Sequence, residues 1–373
     1  MSEKNFINLH VLISHSPSCL NRDDMNMQKT AIFGGVSRVR VSSQSLKRSM
    51  RKGAYYETNL GHPSIRTRDL GKLQARYADA LKDRFDMLLV SKALEWISGK
   101  EGIAEATQAD AVAPWSVDEV AYFCELIQEG AKDGLDSEKL KKQIEKDAKP
   151  FRAAMKSAVD IALSGRMATS GLMTSLPVDG ALAVAHAITT HAVEPPDVDW
   201  FTAVDDLTQD AGETGAGHLN TQQFSSGVFY RYASLNIAQL QENLGGADRK
   251  RALEIAKHVF HMLALVVPSA KQQSFAAHNP ADFAIVSFAD QPISLANAFE
   301  SPVARDRNGG FLAPSIKNLA AYWARVNNAY SLGENAAAFA TALGELPDGV
   351  KPFERLADIE KWIEQDGPEK IKE

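Results

Sequence analysis

Read in chain order, the strongest strand and helix signals run strand, helix, strand, strand, helix, strand, and no other feature narrows the fold as much. FINLHVLIS (6–14) alternates Ile7, Leu9, Val11 and Ile13 with polar or mixed neighbours, which is the period of a strand. RVRVS (38–42) is a short strand that leads into a helix from Ser43. Ser42 or Ser43 can cap that helix, and Leu46 and Met50 lie four apart on its apolar side. GALAVAHAITTHAV (180–193) sets Leu182, Val184, His186 and Ile188 at period two and reads as a strand. FSSGVFYRYASLNI (224–237) and DFAIVSFA (282–289) read as two more. Between them runs an amphipathic helix, 247–267, with Leu253, Ala256, Phe260 and Leu263 inward. This is the β-α-β-β-α-β order of a ferredoxin-like or RRM-type α+β fold. Such a fold presents an open sheet and names no function by itself.

Two segments interrupt the pattern. Residues 68–165 carry helical spacing near 69–98, 116–131 and 137–164, for example at Phe151, Met155, Ala158, Ile161 and Ala162. They end in the Gly/Ser/Thr/Pro loop SGRMATSGLMTSLPVDG (164–180). Residues 194–223 are rich in Pro, Gly, Asp and Thr and lack core periodicity, so they read as a functional loop or a partly ordered hairpin. Residues 14–35 read as a long polar loop closed by Gly34 and Gly35. The stretch after 289 reads as mostly helix and acidic surface.

The bulk properties exclude several classes. A chain of 373 residues with 45% hydrophobic content can bury a large core. No apolar run approaches the roughly 20 residues of a membrane helix, and MSEKNFINLH lacks a basic segment followed by an apolar one. Cys19 and Cys124 are the two cysteines, so reduced thiols in the cytoplasm are expected, with no membrane contact. His10, His15 and Cys19 fit no metal-ligand spacing. Gly34-Gly35 lies in no nucleotide-binding pattern, and Gln44 stands three before Lys47, where an acyl-enzyme motif needs serine.

Charge is the feature that asks for a ligand. The chain carries net −6, yet residues 1–60 hold nine Lys/Arg and four acids, net +5, leaving −11 for the rest. RVRVSSQSLKRSMRK (38–52) has six basic residues and no acid. At ~100° per residue, Lys47, Arg51, Arg48 and Lys52 span an arc separate from Leu46 and Met50. Cations at such spacings repel one another in an isolated helix, and a polyanion crossing the face reverses that. The helix start adds free N–H groups, with Ser42, Ser43, Gln44 and Ser45 as further donors. Two readings stand: a phosphate-backbone site, or a solvated face. Met167 in SGRMATSG is a core plug or a wedge between stacked bases. Trp200 and Phe201 anchor their own loop, dock on a partner or stack on a base. Asp23 and Asp24 lie in a loop near the basic sector, as ion-pair partners for Arg22 or Lys29 or as bases in RNA cleavage.

Long stretches are similar to one known family. NFINLHVLISHSPSCLNRDDMNMQKTAIFGGVSRVRVSSQSLKRSMR, IALSGRMATSG, AHAITTH with DWFTAVDDL, and QFSSGVFYRYASLNIAQLQENLGG closely resemble the CasC family, the backbone subunit of the type I-E CRISPR surveillance complex Cascade. The resemblance runs from about residue 4 to about 330. It implies a right-hand shape: an RRM-like palm with C-terminal helices (1–60, 181–193 and 224–373), helical fingers (61–180) and an extended thumb hairpin (194–223). It implies a cytoplasmic, non-catalytic protein without cofactor or metal. Neighbouring copies polymerise along the guide (CRISPR) RNA, join other Cascade subunits, present bases to target DNA, and work with a recruited helicase-nuclease. By motif, Arg22, Lys29, Ser42, Gln44, Lys47, Arg48 and Arg51 grip the RNA backbone. Arg166, Met167, Thr169 and Ser170 lie at the RNA, with Met167 as the wedge at a kink, and Trp200, Phe201 and Thr202 belong to the thumb. The alternative is a metal-dependent endoribonuclease of a related effector complex, with Asp23 or Asp24 as its first candidates.

Overall fold

The computed structural model of the chain describes residues 3–154, 158–167, 171–194, 197–204, 216–341 and 346–367. It contains two compact units. The first comprises 1–53, 184–234 and 257–373; the second comprises 54–183 and 235–256.

The strands are β1 (Phe6–Ser18), β2 (Thr30–Phe33), β3 (Val36–Val41), β4 (Ile65–Asp69), β5 (Gln108–Trp115), β6 (Leu182–Val184), β7 (Ala187–Thr189), β8 (Asp197–Val204), β9 (Ala216–Asn236), β10 (Phe283–Ala289), β11 (Asn335–Ala340) and β12 (Val350–Phe353). Among the described residues the main sheet has the order β12-β11-β10-β1-β9-β7-β3-β2, with β6 and β8 also pairing with β9. Its central four, β10-β1-β9-β7, are the fourth, first, third and second strands of the β-α-β-β-α-β pattern. The helix Ser43–Lys52 (α1) falls between the first and second of them, and the helix Arg249–Leu265 between the third and fourth. The ferredoxin-like α+β core expected from element order is therefore present.

Register follows burial. β1 pairs antiparallel with β10 from Phe6↔Ala289 to Leu12↔Phe283. β10 is buried at every position, so FAIVSFA reads as a continuous apolar run rather than an alternation. Leu12, Val228, Tyr230, Phe283, Ile285, Phe299, Leu319 and Trp323 form one cluster of the core. Ile13, Leu20, Val39, Val41, Leu46 and Phe229 form another. Arg231, on β9, is buried and donates to the carbonyls of Leu263 and Val266 at 2.8 Å each, placing a cation at the negative end of a helix.

Several expectations need correction. The supposed loop 14–35 is shorter, because β1 runs to Ser18 and Thr30–Phe33 pairs with Val36–Val41 around Gly34-Gly35. Both glycines have positive φ (61° and 74°), as a tight hairpin turn of this twist requires. A Cβ on Gly34 would lie 1.7 Å from the carbonyl oxygen of Glu300, so only glycine fits there. The C-terminal stretch is not all helix: β11 pairs antiparallel with β10, and β12 parallel with β11. The segment 180–193 splits into β6 and β7 around Ala185 and His186. The hairpin reading of 194–223, by contrast, agrees with the structure: residues 197–204 pair antiparallel with 216–224, β8 against the first half of β9.

The second unit is mainly helical. The expected helix 69–98 is two, Leu70–Leu81 and Met87–Ser98, each capped by an aspartate. Asp69 accepts from the N–H of Lys72 at 3.0 Å, and Asp86 from that of Leu89 at 2.8 Å. Segment 137–164 is likewise divided, into Ser137–Lys146, Lys149–Ala154 and Val159–Ser164. Leu73, Tyr77, Val90, Leu94, Ile97, Phe123 and Ile144 fill its core. β4 and β5 add a small antiparallel pair.

Candidate nucleic-acid interface

The basic sector is built from α1, β3 and the loop after β1. Ser42 is the N-cap of α1. Its Oγ accepts from the N–H of Ser45 at 3.2 Å, and its own N–H donates to Asn21 Oδ1 at 2.8 Å. Leu46 and Met50 are buried, which fixes the rotation of the helix. Gln44, Arg48 and Lys52 are exposed, Lys47 is half-buried and Arg51 is buried. Lys47 and Arg51, two of the residues expected to grip the RNA, thus flank the apolar face. The outward row is Gln44, Arg48, Lys52, at i, i+4 and i+8. Arg51 and Lys52 also lie in the last turn, where a cation suits the helix dipole.

The loop from Asn21 to Lys29 is a folded unit. Asp23 Oδ1 accepts from the N–H groups of Met25 and Met27, both at 2.9 Å. Arg22 donates to Asn26 Oδ1, and Asn26 takes a left-handed φ of 67°. Asp23 therefore shapes this loop through backbone contacts, where the sequence suggested pairing with Arg22 or Lys29. Met25 is 81% exposed at the turn so formed. Lys29 donates its N–H to Asn21 O at 3.0 Å and accepts from Arg40 N–H at 2.9 Å, which ties the loop to β3. Gln28 Nε2 reaches Ser225 Oγ at 2.9 Å.

Arg40 and His186 complete this edge, and sequence reasoning had not named either as a ligand. His186 Nδ1 lies 3.0 Å from the N–H of Ser43 and 3.5 Å from Arg40 Nη1. Burial, then Arg40, then Lys29 lower its pKa below the usual histidine value. Its period-two position read as part of one continuous strand. The break between β6 and β7 exposes it instead. Arg38, from the same basic stretch, belongs to the interior. It is fully buried and donates to the carbonyls of Thr189 (3.1 Å) and Phe299 (2.9 Å), with its pKa lowered by burial. His10 and His15 are core residues too: His10 Nδ1 meets the Tyr230 hydroxyl at 2.8 Å, and His15 Nε2 meets Arg231 at 3.2 Å.

In the second unit, Arg166 departs from its expected place at the RNA. Its Nη1 lies 2.7 and 2.8 Å from the two carboxylate oxygens of Glu119, with both side chains enclosed. Its backbone pairs with Val178. The next residue, Met167, is 88% exposed, so the core-plug reading fails for it. Thr169 and Ser170 lie outside the described residues. Trp200, Phe201 and Thr202 are on β8, opposite Thr221, Asn220 and Leu219.

Sheet order, the inserted helical unit and a cationic edge on α1 together define a ferredoxin-like α+β protein with a surface suited to a polyanion. The chain matches the family model described as CT1975-like protein over residues 7–364, and it belongs to that family. No curated protein is detectably similar in sequence. Among solved structures, a chain of a "CRISPR RNA-guided surveillance complex, pre-nicking" is 29% identical, with a TM-score of 0.77 over 96% of this chain and 99% of that one. A chain of a "CRISPR RNA-guided surveillance complex" shares the fold at 24% identity and a TM-score of 0.61, over 96% and 98% of the two chains. Among the described residues no helix is long and apolar enough to cross a membrane.

Proposed function

We propose that this chain is a subunit of a CRISPR RNA-guided surveillance complex and that it forms the complex's backbone by binding guide RNA. The observation that carries the reading is the near full-length match, at 29% identity, to a chain of such a complex. The basic edge supports it, since an acidic protein has placed Arg40 and Lys29 near the start of α1 and Arg48 and Lys52 along its exposed face. Cations so placed hold phosphates without reading bases, which leaves the bases free to pair with target DNA.

In this reading residues 1–60, 181–193 and 224–373 serve as the palm, 61–180 as the fingers, and 194–223 as the thumb. Copies line up along one guide, each thumb crossing the neighbour's segment. Met167 acts as a wedge at a kink, and Arg166 serves the RNA only indirectly, by anchoring the backbone next to Met167 through Glu119. Other Cascade subunits and a recruited helicase-nuclease complete the assembly. The chain needs no active site of its own, because sequence recognition belongs to base pairing and cleavage to its partners.

The test is the nucleic acid that travels with the protein. Purified from cells that express a CRISPR array, it should carry RNA of one defined length, released by phenol and sensitive to ribonuclease. Protein free of RNA, or bound to RNA of random length, would contradict the reading.

A further inference from the structure

The cluster of Arg40, Lys29 and His186 holds one group whose chemistry differs from the rest. Arg40 lies against a histidine that is exposed, and Lys29 is near enough to act on its charge. Its protonation state follows from geometry. A backbone N–H can only donate, so the 3.0 Å contact from Ser43 makes Nδ1 an acceptor. The Arg40 guanidinium, 3.5 Å from the same nitrogen, can also only donate. The ring is therefore neutral, and its proton sits on Nε2. Arg40 and Lys29 are the charged groups that act on it, and both oppose protonation.

We propose that His186 contacts the RNA backbone as a neutral donor, giving its Nε2–H to a phosphate oxygen held between Arg40 and Lys29. The inference rests on the RNA-binding reading above and adds to it a residue and a protonation state. The two cations define the anion's place. The helix start contributes Ser43 N–H, which is already used to orient the ring. Arg40 gains a second function in this arrangement, since it neutralises the phosphate while keeping the imidazole in the donor tautomer.

A neutral donor and a cation differ in how their binding responds to salt. Each cation that neutralises a phosphate of a single strand contributes about 0.7 to the log–log slope of affinity against salt, whereas a neutral donor contributes affinity and no slope. The experiment measures binding of the full-length chain to a single-stranded RNA oligonucleotide over a salt series. His186→Ala should raise Kd about three- to tenfold with a slope parallel to wild type, while Arg40→Ala should lower the slope. His186→Asn separates donation from helix orientation, because its Oδ1 can still accept from Ser43 N–H while nothing donates at the Nε2 position. It should bind as weakly as the alanine variant.

An unchanged Kd in His186→Ala would overturn the proposal. So would a slope reduced by about 0.7, which would indicate an imidazolium, or full affinity in His186→Asn, which would leave only a role in orienting the helix. Absence of RNA binding by wild type would instead overturn the RNA-binding reading itself.

Discussion

Buried and exposed cations solve different problems, and the fifteen residues from Arg38 to Lys52 hold both. Arg38 is committed to backbone carbonyls and Arg51 is enclosed, whereas Arg48 and Lys52 face solvent. Replacing Arg48 and Lys52 together by alanine should weaken RNA binding and lower the salt slope by about 1.4, or 0.7 for each phosphate no longer neutralised. Arg51→Ala should instead lower the thermal midpoint by removing buried packing. Salt titrations and melting curves on the same variants separate the two. Glu119 makes the complementary case. Removing it in Glu119→Ala leaves the Arg166 guanidinium buried and uncompensated, which should destabilise the protein by about 3–5 kcal/mol in denaturant unfolding. The sequence shows that these residues are charged but not which way they point. Only the burial of Leu46 and Met50 sets the helix rotation and decides which cations are offered.

At the level of elements, local pattern was legible wherever one face of a segment met the core. The alternation of FINLHVLIS and the run FAIVSFA gave strands β1 and β10, and the cap at Ser42 gave the start of α1. It failed where composition misleads. NAAAFA is alanine-rich and reads as helix, yet as β11 it is buried in the sheet between β10 and β12. Segment 69–98 kept helical spacing across its break, since apolar residues on both sides fill one core. His186 escaped notice because the alternation does not mark the two-residue interruption between β6 and β7 that leaves it exposed. The loop carrying Met167 depends on a close approach that sequence cannot show. Gly165 has φ of 76°, and a Cβ there would sit 2.8 Å from both Val178 O and Gly180 N. Gly165→Ala should therefore lower stability by more than the usual ~1 kcal/mol of a helix-interior glycine effect, measurable by urea unfolding.

For the molecule as a whole, folding keeps the buried histidines His10 and His15 of the sheet core neutral. Burial lowers the pKa of His10 to about 3. Burial and then Arg231 lower that of His15 to about 3, against a partial rise from Asn279. In the unfolded chain both titrate near the ordinary ~6.5, so between that value and about 3 the unfolded state binds more protons. Their contribution to stability is complete above ~6.5 and falls away as pH falls, at about 1.4 kcal/mol per pH unit for each group. Urea midpoints should drop from pH 7 to pH 5, and His10→Gln should lessen that drop. The central claim concerns assembly: a chain that grips phosphates and leaves bases free gains its function by repeating along one strand. Native mass measured with and without a guide RNA tests this most directly. The account predicts one particle containing several copies of the chain per RNA, formed only when the guide is present. A single copy per RNA, or a mass that the RNA leaves unchanged, would contradict it.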